Sequence, residues 1–189
     1  MLIFLEEGEK MKENVTYLQI NKKILDESFL KVDMKKVFPV PPIGKDIKFY
    51  EKIVKDIEDN FYKKYEEIIF GKPVTVEIND KSKEELIKKF NKLLVILEKK
   101  NKEEGKKNNL WPAYQDSMES GEPLVASKVW PNDPDIVNAL NVFIKNKKHS
   151  PNEDIDAEEK CILKIADVRF LNFGRGLDLV ERYLKDLKR

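Results

Sequence analysis

Four arginines stand against 32 lysines in this chain, and all four fall within the last 21 of its 189 positions: Arg169, Arg175, Arg182 and Arg189. A guanidinium stays charged at any accessible pH and grips carboxylate or phosphate through a planar fork of N–H donors. At about 100° per residue, Ile155, Ile162, Ile165, Ala166 and Phe173 share one helical stripe, and Arg169 projects from the middle of it. A charge aimed at a core must meet a carboxylate, carbonyl groups or a bound anion. Arg169 is therefore a candidate for binding an anion or a partner, the competing role being a tie to an acid elsewhere in the fold. Arg175, between Gly174 and Gly176, is expected on a turn whose following amides open a helix, which makes it the second anion candidate. Arg182 lies opposite Leu177, Val180, Leu184 and Leu187, with Asp178 and Asp186 four residues to either side, as in a solvated ladder of ion pairs. Arg189 ends the chain.

Aromatic side chains form the second constellation. Trp111, Tyr114 and Trp130 stand in the segment 110–132, and both tryptophans precede a proline. Large aromatics on loops anchor interfaces or pin a loop to its own domain, so these three are the candidate interface residues. Lys145, Lys147, Lys148 and His149 make a basic corner able to touch phosphates, and Lys99, Lys100, Lys102, Lys106 and Lys107 make another, diluted by two glutamates.

Catalytic signatures are sparse. One histidine and one cysteine exclude a His- or Cys-rich zinc site within the chain, and Cys161 falls on a buried-looking helix. Gly174-Arg175-Gly176 is too short for a phosphate loop and follows a helix rather than a strand. Ser117, Ser120 and Ser127 lie near Lys128 without an elbow motif. Asp154 and Glu158, four apart on one helix face, are the weak alternative for a magnesium site, although acids in a first helical turn are what the helix dipole favours anyway.

The elements that must position these groups are mostly helical. Residues 2–5 and 15–20 have strand composition around a charged, Gly8-containing turn and predict a loose hairpin. A short helix near 23–31 and an extended strap over Phe38–Gly44, interrupted by three prolines, come next. Apolar spacing predicts a helix from Asp46 to Phe70, stopped by Gly71 and Pro73, then a strand over 73–78. Ser82 and Glu85 read as a capping box for a helix to about Lys100, and Lys99–Asn109 as a frayed end and loop. Residues 110–132 show no helical period and hold three prolines, predicting a long irregular stretch. Asp133-Pro134 opens a helix to about Lys145, Ser150 and Glu153 cap one that runs to Phe173 with Gly174 as its stop, and Leu177–Lys188 forms the last.

The expected fold is α+β and predominantly helical, with five to six helices, a small N-terminal hairpin and one further strand. Residues 1–105 would form a hairpin with a helix-strand-helix unit and 106–189 an irregular segment with three helices, the two compatible with one continuous domain. Net charge is +1; the stretch to Asn109 holds 24 basic and 21 acidic residues and the remainder 12 and 14, so neither part carries the basic excess of a phosphate-neutralising surface. The five apolar residues that open the chain are too few for a signal-peptide core or a membrane span, and one cysteine suits a reducing compartment, giving a cytoplasmic expectation with no membrane. No cofactor is expected. The reading that follows is a non-catalytic binding or assembly domain that holds a protein partner through the tryptophan-bearing 110–132 segment. A magnesium-dependent enzyme on a phosphorylated or nucleotide substrate and a nucleic-acid-associated protein using the lysine corners are the alternatives.

Overall fold

In a computed structural model, which describes residues 15–107, 110–125, 133–146 and 156–189, helices make up most of the molecule. The first strand, β1 (Thr16–Asn21), runs directly into α1 (Lys22–Leu25), and Glu27 then takes a left-handed φ of 63° before a 3-10 turn at Ser28–Lys31. That residue splits the single short helix expected over 23–31. Helix α2 (Met34–Val37), opened by the Asp33 side chain accepting from the Lys35 N–H, leads into the strap, which has neither helix nor strand geometry over 38–44.

The amphipathic stretch after Asp46 is helical over its whole expected length but not uniform. Helix α3 (Ile47–Asn60) passes through a π-helical turn at Phe61–Tyr65 into α4 (Glu66–Phe70), ended at Gly71. Strand β2 (Pro73–Ile78) pairs antiparallel with β1, Thr16 opposite Ile78 and Asn21 opposite Pro73. The described partner of β1 is thus β2; residues 2–5, expected across from it, lie outside the described residues.

Helix α5 (Asp80–Lys107) is capped reciprocally by Asn79 and Ser82, each side-chain oxygen accepting the other's backbone N–H at 2.9 Å. Ser82 therefore occupies the third helical position rather than the cap, and the helix continues through residues expected to fray. A second correction concerns 110–120, expected to be irregular. They form α6 (Leu110–Ser120), because Pro112 falls in the first turn, where no N–H is needed for the ladder. Asp133 precedes α7 (Pro134–Asn146), as its Asp-Pro pair predicted. Helix α8 (Ala157–Val168) stops five residues short of Phe173, and after a turn at Arg169-Phe170 the chain enters α9 (Leu171–Leu187), which runs through both Gly174 and Gly176. Gly174 is a helix-interior residue, not a stop. The proposed cap at Ser150 and Glu153 lies outside the described residues.

Nine α-helices therefore occur among the described residues, more than the five to six expected, alongside one two-stranded antiparallel sheet. Helix α9 packs along α5, and α8 along α3, so helices of the second half cover those of the first. One apolar cluster joins them, from Ile20 and Phe29 through Phe90 and Leu97 to Ile162 and Val180. Gly176 permits one close approach: a Cβ there would sit 3.0 Å from Phe29 Cε2. Among the described residues, no helix is long and apolar enough to cross a membrane.

Candidate functional site

Arg169 caps the C-terminus of α8 and is 3% exposed. Its Nε donates to the Phe38 carbonyl at 3.0 Å, and its two terminal nitrogens donate to the two Asp135 oxygens at 3.2 and 3.0 Å. Asp133 Oδ2 lies 3.5 Å from the same guanidinium, and Lys35 Nζ lies 3.2 Å from Asp133 Oδ1. Asp133 is buried, and its carboxylate is held by these two cations rather than by aligned hydrogen bonds. Two cations and two anions thus close on one another and tie α2, the strap, α7 and α8 together. Burial raises the Asp135 pKa, but hydrogen bonds from Arg169 and its positive charge outweigh that and hold the carboxyl below the usual range. The guanidinium expected to await an anion faces carboxylates of its own chain. Asp135, which the sequence offers only as one of a dense group of acids that could supply a magnesium site, is instead the partner of Arg169; its one signal is its place in the first turn after an Asp-Pro pair.

Arg175 does not sit on a turn. It lies in α9, and its Nε and a terminal nitrogen donate to Glu66 at 3.1 and 3.3 Å, joining α9 to the start of α4. Arg182 places its guanidinium carbon 5.7 Å from the centre of the Tyr183 ring.

The aromatic trio separates. Tyr114 is fully buried, correcting its expected place at an interface: helix formation turns it inward, where its hydroxyl donates to Glu159 and burial, then that carboxylate, push its pKa up. Trp111, one turn earlier, is 40% exposed, with its ring centre 6.0 Å from that of Tyr114. Trp130 lies outside the described residues, as do Lys147, Lys148, His149 and Asp154. Lys145 is exposed at the end of α7. In the other lysine group, Lys100 covers the Phe173 ring, its Nζ 5.4 Å from the centre.

Glu158, the expected metal ligand, is engaged otherwise. Its Oε1 accepts from the Tyr50 hydroxyl at 2.9 Å and from the Gly44 N–H at 3.3 Å. The same Tyr50 oxygen lies 2.5 Å from the Pro42 carbonyl and accepts the Lys45 N–H at 3.1 Å, so one buried tyrosine pins the strap to α3 and α8. Burial, followed by Glu158, raises the Tyr50 pKa; burial, followed by the same Glu158, pushes the neighbouring Cys161 thiol up to about 11. No cluster of three histidine, cysteine or acidic residues among the described residues is placed to hold a metal ion.

The clamped strap forms one wall of a feature that sequence reasoning missed. Phe38, Pro39, Val40, Pro41 and Pro42 face Phe49, Ile53 and Tyr65 across a groove of about 540 Å³, floored by the buried Ile57 and Ile165. Its two charged lining residues are Lys52 and Asp56. Asp56 is occupied: one oxygen accepts from Tyr65 Oη at 2.6 Å and the other from Asn60 at 2.8 Å, with Lys64 at 3.7 Å. The Tyr65 hydrogen bond, opposed by partial burial and aided by Lys64, keeps the Asp56 carboxyl below its ordinary range; burial, then Asp56, takes Tyr65 up to about 12. Lys52 is exposed and has no ion pair among the described residues.

No protein-family model, curated protein or solved structure matches this chain.

Proposed function

We propose that this chain is a non-catalytic binding domain of a protein assembly and that Trp111 is one of its anchors. The observation that carries the reading is the mounting of Trp111. An indole with two-fifths of its surface open stands in the first turn of a helix whose next turns, through Ala113, Tyr114, Ser117 and Met118, are buried. Tyr114, against which the indole rests, is itself fixed by Glu159. A large aromatic held rigidly at a surface loses little conformational entropy on association, and this is the type of residue that dominates interface energetics. The arginines support the same reading, since Arg169 and Arg175 spend their forks on Asp135 and Glu66 and thereby stiffen the platform.

The test is photo-cross-linking in the source cells with benzoylphenylalanine at position 111 and, as control, at position 92 on exposed α5 surface. A discrete protein adduct at 111 that is absent at 92 is expected. Truncating an interface anchor costs about 2 kcal/mol or more, so Trp111→Ala should weaken capture of that partner by about 30-fold. Identical adduct patterns at the two positions would overturn the reading.

A further inference from the structure

We infer that the groove between the Phe38–Pro42 strap and α3 is a second docking site, which takes a short peptide segment presenting a bulky apolar side chain next to an aspartate or glutamate. This goes beyond the anchor at Trp111 and does not depend on it. The apolar half of the specificity follows from the walls: Phe38, Val40, Phe49, Ile53, Tyr65 and the three prolines leave a recess of about 540 Å³ over Ile57 and Ile165. That is the size of a recess that receives one or two large side chains. Prolines carry no N–H, so Pro39, Pro41 and Pro42 offer a peptide no backbone donor, and most of what that wall presents is apolar ring surface. Two of the strap's carbonyls are already engaged, Phe38 by Arg169 and Pro42 by Tyr50. The wall is pinned at both ends, so little order need be gained on binding.

The acidic half follows from the two charges. Asp56 has both oxygens bonded within the fold, whereas Lys52, one turn earlier on the same helix, lines the groove without an ion pair among the described residues. The available charge is positive, and a ligand carboxylate beside the seated apolar group is its complement. Phe49 extends the apolar surface outward to 36% exposure.

The experiment is selection of a random-peptide phage library on the immobilised full chain. Fluorescence-anisotropy titration of the selected peptides with wild type, Phe49→Ala, Lys52→Glu and Trp111→Ala then follows, each variant checked by its melting curve. Expected are peptides that pair a large apolar residue with Asp or Glu. Their affinity should fall about tenfold in Phe49→Ala and about fivefold in Lys52→Glu, drop as salt rises, and be unchanged in Trp111→Ala. Amide shifts on titrating the labelled wild-type chain should concentrate at Val37–Val40 and Phe49–Ile57. Selected peptides that bind both groove variants as tightly as wild type overturn the proposal, as does a selection dominated by basic or neutral sequences. Failure to select any peptide also overturns it, while the cross-link at position 111 would still decide the binding-domain reading separately.

Discussion

Arg169 and Asp135, 34 residues apart in sequence, meet fork to fork, with both terminal nitrogens of the guanidinium bonded to both carboxylate oxygens at 3.2 and 3.0 Å. The Arg169 and Asp133 side chains are 1% and 2% exposed, so removing the cation strands a buried acid with Lys35 as its remaining counter-charge. Arg169→Ala should therefore lower the unfolding free energy by about 3–5 kcal/mol, measured by urea denaturation. Arg169→Lys should recover little of it, because an ammonium cannot serve Phe38 and both Asp135 oxygens together. A loss below about 1 kcal/mol for Arg169→Ala would show that the cluster carries no weight.

The same pair predicts a pH dependence. Burial works against ionisation of Asp135, but Arg169 wins, and the folded-state pKa lies below its unfolded value of about 3.9. A depressed acid contributes stability that is fully present above the unfolded pKa and is lost as pH falls through the folded one. The stability difference between wild type and Asp135→Asn should stay constant from pH 7 to about pH 5 and shrink on going to pH 3. Urea midpoints at the three pH values check this; a constant difference would refute it.

Gly174 and Gly176 are both interior to α9, yet should respond oppositely to alanine. At Gly174 a Cβ would meet the Asn101 side chain at 3.5 Å, an ordinary contact, so the gain in helix propensity should stabilise the fold by about 0.5–1 kcal/mol. At Gly176 it would meet the fully buried Phe29 ring at 3.0 Å and Phe70 at 3.5 Å, and neither ring has free space to yield into. Gly176→Ala should show no gain or a net loss. Melting temperatures of the two variants decide it, and equal shifts in the same direction would refute the packing account.

These glycines also show where sequence reading fails. Glycine between two amphipathic stretches is the ordinary sign of a helix end, and only the arrival of Phe29 from far earlier in the chain makes Gly176 a packing residue. Pro112 misled in the same way, since a proline in the first turn and one inside a helix differ only in where the helix starts. What rested on local chemistry was legible: the Asp133-Pro134 start, the β2 strand, the amphipathic run after Asp46, and the inward direction of Arg169. Its partner Asp135 and the groove were not, because both depend on how α8 lies against α3 and α7.

Tyr50 joins three segments through one oxygen, and Tyr50→Phe keeps the ring while deleting all of those bonds. Leaving the Pro42 carbonyl, the Lys45 N–H and Glu158 without this partner should cost about 1–3 kcal/mol. The strap should also loosen locally, so hydrogen exchange at Lys45 ought to accelerate by more than the global loss of stability explains. Exchange at Lys45 that merely tracks global unfolding would refute the role of Tyr50 as the pin of the groove wall.

Cys161 gives a reporter of opening that needs no mutation. Its thiol is fully buried, and burial with the nearby Glu158 charge brings its pKa to about 11, so at pH 8 about one molecule in a thousand holds a thiolate even before access is considered. Ellman's reagent should therefore label the native chain far more slowly than a free thiol and label the urea-unfolded chain within the mixing time of a manual assay. The native rate should rise in Tyr50→Phe, whose hydroxyl lies beside the same Glu158, and should follow the opening equilibrium as urea is added below the unfolding midpoint. Stoichiometric labelling of the native chain at the rate of a free thiol would contradict the enclosed position of Cys161 on α8.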